Sequence, residues 1–272
     1  MTRPWIEFIQ SQQLEWIDDD LNGFVPGAAV KRLSVDPDTG AASLLLRLPP
    51  GFRGPGGACA TIIELLVLDG SLSINGHEFS AYGYGRWPLG LDGSGWQSEG
   101  GATMLLFLSA RPLPSAATAA PDDPGHVPWL DALRVPYTGN FHPEFPPGAG
   151  RKLLFQCPET GDTSWLLGTL PLRWAERSEV HPVVEEMFLL AGESHGNRGV
   201  MRPGAYFWRP PGIPHGPYGT LTGNLYFFRT AGGALSTQYV DADRFDWHRS
   251  TNPVVPADLM LKPLPAVAVD HW

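Results

Sequence analysis

Apolar residues in this chain come in short runs of four to eight, divided by Gly, Pro or Asn, with little of the spacing of an amphipathic helix. The runs Ala42 to Leu48, Thr61 to Leu68, Met104 to Leu108, Ser164 to Leu170, Val183 to Leu190, Ala205 to Trp208 and Asn224 to Arg229 predict strands. Helical spacing is fair only around Glu7 to Trp16, with a short turn near Trp129 to Leu133. This rhythm predicts an all-β chain folded as sandwiches or jelly-roll barrels.

The pattern occurs twice. Residues 36 to 108 lie over 157 to 230, and after a one-residue slip the offset holds at 122. Asp36-Pro37-Asp38-Thr39-Gly40 meets Cys157-Pro158-Glu159-Thr160-Gly161; Glu64 meets Glu186, Gly70 meets Gly192, Tyr84 meets Tyr206 and Gly101 meets Gly223. Two similar domains are expected, an N-terminal one at 1–112 and a C-terminal one at 136–272. Between them, 113–135 reads as a linker, because Arg111 to Pro128 is rich in Ala, Pro and Ser. The tail beyond Asp241 carries Pro253, Pro256, Pro263 and Pro265, with Trp247, Leu259, Leu261 and Trp272 able to strap it to a barrel or a partner subunit.

Composition narrows the class. The chain has 272 residues and a net charge of -9, and no run of Lys or Arg, which argues against a nucleic-acid partner. No stretch approaches membrane-spanning length, and Met1 to Trp5 does not resemble a signal peptide, so a cytoplasmic location is expected. Cys59 and Cys157 are too few for a disulfide framework and are expected reduced.

The chemistry is confined to the second copy. Glu179, His181, Glu185 and His215 stand where the first copy has Gly57, Cys59, Ile63 and Gly93. In a strand, residues two or four apart share a face, so Glu179, His181 and Glu185 can point into one interior while Glu186 points outward. His215 follows a Pro-Gly turn that returns it toward the same cavity. Met187, Tyr206, Trp208 and Phe227 are candidate lining of a substrate pocket. His195 is expected in a solvated turn, and His126, His142, His248 and His271 have no spacing partners. The first copy, lacking ligands, is expected to be filled and apolar or to hold an organic ligand without metal.

Glu179-x-His181-x3-Glu185-x6-Gly192, followed by Gly204-x5-Pro210-x-Gly212-x2-His215, resembles the two motifs of the cupin superfamily. The whole chain resembles a two-domain bicupin of the ChrR-like type, which implies two tandem cupin (double-stranded β-helix, or jelly-roll) barrels. The family motif begins His-x-His where this chain has Glu179, and Gly219 stands where Asn often follows the last histidine. Two ligand sets are open: all four residues, or His181, Glu185 and His215 as a two-histidine, one-carboxylate set. The donors suit a divalent ion, with Fe(II) favoured and Zn, Mn or Ni also compatible.

The expected function is a metal-dependent enzyme, foremost a non-haem Fe(II) dioxygenase acting on a small aromatic or diketone-like molecule. In it Glu179 is a fourth ligand or an acid/base. A Zn- or Mn-dependent hydrolase, lyase or isomerase is a second expectation. A non-enzymatic ChrR-like metal- or ligand-binding regulatory protein is a third, set back because the sequence shows no clustered His and Cys like the zinc-binding domain of anti-sigma proteins. A homodimer is expected from exposed strand edges.

Overall fold

The computed structural model describes residues 3–55, 57–93, 95–139, 147–247 and 272. Among them the chain is built from β-strands, with one 3-10 turn at Ser11–Gln13 and no α-helix. Among the described residues no helix is long and apolar enough to cross a membrane. It forms two compact units that do not follow chain order: Met1–Arg3 with Glu15–Arg134, and Pro4–Leu14 with Val135–Trp272.

In the first unit, a seven-stranded sheet runs in the order Val127–Asp131, Gly83–Trp87, Ile63–Gly70, Ala102–Leu108, Ala42–Leu48, Ala29–Val35, Ile17–Asp18. A four-stranded sheet of Phe52–Arg53, Gln97–Ser98, Leu72–Ile74 and His77–Phe79 shares its core. That core gathers Leu44, Leu46, Leu65, Val67, Met104 and Leu106 against Leu72, Ile74, Phe79, Trp87 and Trp96. Each such side chain contributes roughly 1.5–3 kcal/mol on burial. Leu45, Leu66 and Leu105, on the alternate face, are buried as well, so these strands read as continuous apolar runs.

The second unit repeats the plan. Its six-stranded sheet runs Ile6–Gln10, Ala205–Arg209, Val184–Gly192, Asn224–Ala231, Thr163–Thr169, Ala149–Gln156. A four-stranded sheet contains Arg173–Trp174, Tyr218–Thr220, Ser194–Gly196 and Gly199–Met201. A two-stranded ribbon pairs Arg177–Val180 with Gln238–Arg244. Both units need glycine at one shared bend. Gly70 and Gly192 have φ of +73° and +74°, and a Cβ there would meet the carbonyl oxygen of Gly101 at 2.2 Å or Gly223 at 2.0 Å.

The helix expected over Glu7 to Trp16 is instead an edge strand, Ile6–Gln10, ending in the 3-10 turn. It pairs with Ala205–Arg209 in the second unit and buries Ile6 and Ile9, a tertiary gain that outweighs local helical spacing. The turn expected near Trp129 lies on the strand Val127–Asp131, which pairs with Gly83–Trp87. The expected boundaries at 1–112, 113–135 and 136–272 therefore shift. The linker supplies an edge strand to the first unit, and residues 4–14 supply one to the second. In the tail, Trp247 packs on Phe245 and His195, and Trp272 is buried with its ring 5.7 Å from that of Phe188. Pro253, Pro256, Leu259, Leu261, Pro263 and Pro265 lie outside the described residues.

Candidate metal centre

The backbone brings the two motifs together. Glu179 and His215 form an antiparallel bridge, with Glu179 N–H donating to the His215 carbonyl at 2.9 Å and His215 N–H to the Glu179 carbonyl at 3.0 Å. The Pro-Gly turn is tied in by the Gly212 N–H, which donates to the His181 carbonyl at 2.8 Å. Glu185 enters from the next strand, Val184–Gly192. Ligand atoms of Glu179, His181 and His215 all lie within 4.8 Å of one another, a group able to hold a metal ion. Glu185 lies against both imidazoles, Oε2 at 3.2 Å from His215 Nε2 and Oε1 at 3.6 Å from His181 Nε2.

Both histidines are oriented by carbonyls. His181 Nδ1 lies 2.9 Å from the Ser236 carbonyl oxygen, and His215 Nδ1 lies 3.0 Å from that of Ile213. A carbonyl only accepts, so each Nδ1 carries a proton, and it is Nε2 of each ring that is left to offer a lone pair to a metal ion. Those two Nε2 atoms are buried and have no hydrogen-bond partner. Two imidazoles fixed in the metal-binding tautomer, with orphaned nitrogens converging beside two carboxylates, fit a divalent cation.

The sequence reading missed Arg209. It lies buried at the end of Ala205–Arg209, with Nη1 donating to Glu185 Oε2 at 3.2 Å and Nη2 to Glu7 Oε1 at 3.3 Å. Nη2 also contacts the Tyr218 hydroxyl, which donates to Glu7 Oε1 at 3.0 Å, and the guanidinium lies over the Phe207 ring. Burial opposes ionisation of Glu185, but in the metal-free centre with both imidazoles protonated the charges of His181, His215 and Arg209 outweigh it and hold the carboxyl down to about 2. With the imidazoles neutral, as metal ligands must be, the linked group of Glu7, Arg209, Glu185 and Glu179 carries two net negative charges, which a divalent cation would balance. The available signal was a lone charge inside each of two apolar strands, Glu7 in Ile6–Gln10 and Arg209 in Ala205–Arg209.

Glu179, His181, Glu185, Arg209, His215 and Tyr218 line a cavity of about 90 Å³. Its walls are Trp165, Met187, Met201, Phe207, Tyr226 and Phe228, with Arg173, Arg177 and Tyr239 among the polar lining. Of the expected pocket residues, Met187 lines it. Tyr206, Trp208 and Phe227 do not, because strand alternation turns Phe207, Arg209, Tyr226 and Phe228 inward and these three to the buried opposite face. Glu186, expected to point outward in a structural or surface role, does face away from the cavity, but it is buried there and accepts from the Tyr206 hydroxyl and Arg229 Nη1, each at 2.6 Å. His195 lies in a hairpin, on the strand Ser194–Gly196 paired with Gly199–Met201 and not in its turn, with Nε2 3.0 Å from Glu193 Oε1. His126, in the first unit, has Nδ1 2.8 Å from the Pro121 carbonyl oxygen; His142, His248 and His271 fall outside the described residues.

The first unit keeps the scaffold without the donors. Gly90 N–H donates to the Cys59 carbonyl at 3.0 Å and Gly93 N–H to the Gly57 carbonyl at 3.3 Å, matching the two bonds around His181 and Glu179. Its interior at these positions is taken by Cys59, Ile63, Trp87 and Leu91. Burial pushes the Cys59 thiol up, which keeps it unreactive.

A family model described as a domain of unknown function (DUF4437) matches residues 7–237. The chain belongs to that family. No curated protein matches its sequence. Among solved structures, a protein of Nostoc punctiforme described as a "putative dioxygenase" is similar, with a TM-score of 0.77 and 21% identity over 88% of this chain and 86% of that one. Oxalate decarboxylase of Bacillus subtilis is similar at a TM-score of 0.56 and 13% identity, over 86% of this chain and 78% of that one. A single-residue variant of the same enzyme gives 0.57 and 13%, over 86% and 79%. With the strand architecture above, these likenesses establish an all-β cupin barrel fold.

Proposed function

We propose that this chain is a metal-dependent bicupin enzyme, a non-haem Fe(II) dioxygenase acting on a small aromatic or diketone-like molecule in the second unit. The observation that carries the reading is the pair of buried, partnerless Nε2 atoms of His181 and His215 converging beside Glu179 and Glu185. The description of the Nostoc neighbour points the same way.

His181, His215 and Glu185 would hold the ion, with Glu179 as a fourth ligand or a proton carrier. When bound, the ion would supply Lewis-acid and one-electron chemistry. Glu179 is the most solvent-accessible of the four, its side chain 23% exposed, and it lines the cavity, which supports a role for its carboxylate in taking a proton from substrate. Trp165, Met187, Phe207 and Phe228 supply apolar and aromatic walls that bind a flat molecule and exclude water. Arg173, Ala175, Arg177 and Tyr239 line both this cavity and an adjoining surface depression. A substrate arriving there passes two guanidiniums, which favours one bearing negative charge, such as an enolate or a carboxylate.

Elemental analysis of untagged protein beside His181→Ala and His215→Ala tests the centre, and oxygen uptake with aromatic and diketone candidates tests the chemistry. Iron near one per chain, lost in both variants, with substrate-dependent oxygen consumption is the expected result. The exposure of Glu179 also favours a second reading, a Zn- or Mn-dependent hydrolase, lyase or isomerase in which it acts as base. Turnover without oxygen uptake would select it, and a folded protein that binds no metal after reconstitution would sink both.

A further inference from the structure

Glu7 lies more than 170 positions before the first candidate ligand in sequence, yet only one side chain separates it from the metal centre. The N-terminal strand carries it there. Ile6 pairs with Trp208, Ile9 with Tyr206 and Gln10 with Ala205. The end of this strand is pinned by three further bonds: Ser11 N–H to the Gly204 carbonyl at 2.9 Å, Arg202 N–H to Gln10 Oε1 at 2.9 Å, and Gln12 Nε2 to the Pro203 carbonyl at 3.0 Å. Backbone and side-chain bonds alike thus hold the strand so that the Glu7 carboxylate reaches the Arg209 guanidinium.

Arg209 is shared between two carboxylates, Glu7 at 3.3 Å and Glu185 at 3.2 Å. Its side chain is 2% exposed and that of Glu7 6%, so water screens this pair little. A guanidinium whose charge is partly answered by Glu7 withdraws less electron density from Glu185, and a planar fork held at both ends fixes where the Glu185 carboxylate lies against His215. The Tyr218 hydroxyl, which lines the cavity and donates to Glu7 at 3.0 Å, closes the arrangement. The first unit has no counterpart of this arrangement, since Trp87 stands at the position of Arg209 and Ile63 at that of Glu185.

We infer that Glu7 is a positioning residue of the metal centre, acting through Arg209 to set the geometry and charge of Glu185, so that the exchanged N-terminal strand completes the site. This rests on the metal-binding reading above. Groups that orient metal ligands from outside typically change affinity by about 10–100-fold when removed.

The test uses the full-length protein loaded with Co(II), whose visible absorption reports ligand geometry, and measures Co(II) affinity by chelator competition. Wild type, Glu7→Gln, Tyr218→Phe and His215→Ala are compared. Glu7→Gln keeps an acceptor of the same shape and removes the charge. It is expected to weaken Co(II) binding by about tenfold or more and to shift the absorption bands, while circular dichroism stays that of wild type. Tyr218→Phe, which leaves the charges in place, is expected to do the same to a smaller degree and decides alone if Glu7→Gln does not fold. A purely structural Glu7 would lower the melting temperature and leave affinity and spectrum unchanged, which overturns the inference. If wild type binds Co(II) and only His215→Ala loses it, the positioning role fails and the metal centre stands; if wild type binds none, both fail.

Discussion

Tyr206 donates its hydroxyl to the buried carboxylate of Glu186 at 2.6 Å, and in the other unit Tyr84 does the same to Glu64 at 2.8 Å. Both partners of both pairs sit at matched positions of the repeat, so this polar pair belongs to the scaffold and not to the chemistry that distinguishes the second unit. Tyr206→Phe would remove one donor from a buried carboxylate that keeps Arg229. The expected loss is about 1–3 kcal/mol of stability, read by denaturant unfolding, with metal content unchanged. A variant of wild-type stability that has lost its metal would show that the pair serves the centre instead.

Removing the metal should expose the charge imbalance that it offsets. At a free metal concentration about 100 times the dissociation constant, binding to the folded state alone adds about 2.7 kcal/mol. The melting temperature of wild type is expected to fall on chelation and recover on adding back the divalent ion, whereas His215→Ala should respond to neither. Equal response of wild type and variant would place the metal elsewhere.

Most of the scaffold was legible from sequence because it rests on short-range rules. Strands such as Ala42–Leu48 were visible as apolar runs between turn residues, and the bend at Gly192 was visible because its crowded backbone leaves no room for a side chain in either unit. The spacing of Glu179, His181, Glu185 and His215 was equally visible. Ile6–Gln10 was not, since an edge strand is defined by its partner, and that partner lies about 200 residues away in sequence. The facing of Tyr206, Trp208 and Phe227 was misread for a related reason. When both faces of a sheet are buried, apolar character no longer tells which side holds the cavity.

Acid should weaken the metal-free second unit through Glu7 and Glu185. Burial disfavours the charged form of Glu7, but the Arg209 charge and the bonds from Arg209 and Tyr218 more than offset it and hold this carboxyl below its ordinary value of 4.5. Glu185 is held down to about 2. A carboxyl lowered on folding stabilises the native state above its unfolded pKa, and that stabilisation is lost as pH falls through the folded value. Stability is therefore expected to decline from about pH 4.5 toward pH 2. Urea midpoints across this range should fall less steeply in Glu7→Gln than in wild type, and parallel slopes would refute the assignment.

The first unit offers a strict test of what the centre requires beyond its histidines. Its backbone bonds at Cys59 and Gly57, 3.0 and 3.3 Å, match those at His181 and Glu179, 2.8 and 3.0 Å, so a Cys59→His, Gly93→His graft would start from the same local scaffold. The surroundings differ. Ile63 replaces Glu185, and Trp87 takes the place of Arg209, with Phe79 and Trp96 at ring distances of 6.0 and 6.4 Å. Where the second unit offers Glu185 and Arg209, an imidazole placed there meets Ile63 and Trp87, and burying it without a partner costs on the order of 1–3 kcal/mol. In a His181→Ala, His215→Ala background the graft is expected to bind no metal and to unfold at lower denaturant than its parent. Stoichiometric metal in that protein would mean that two histidines on this scaffold suffice, and that Glu185, Arg209 and Glu7 are dispensable.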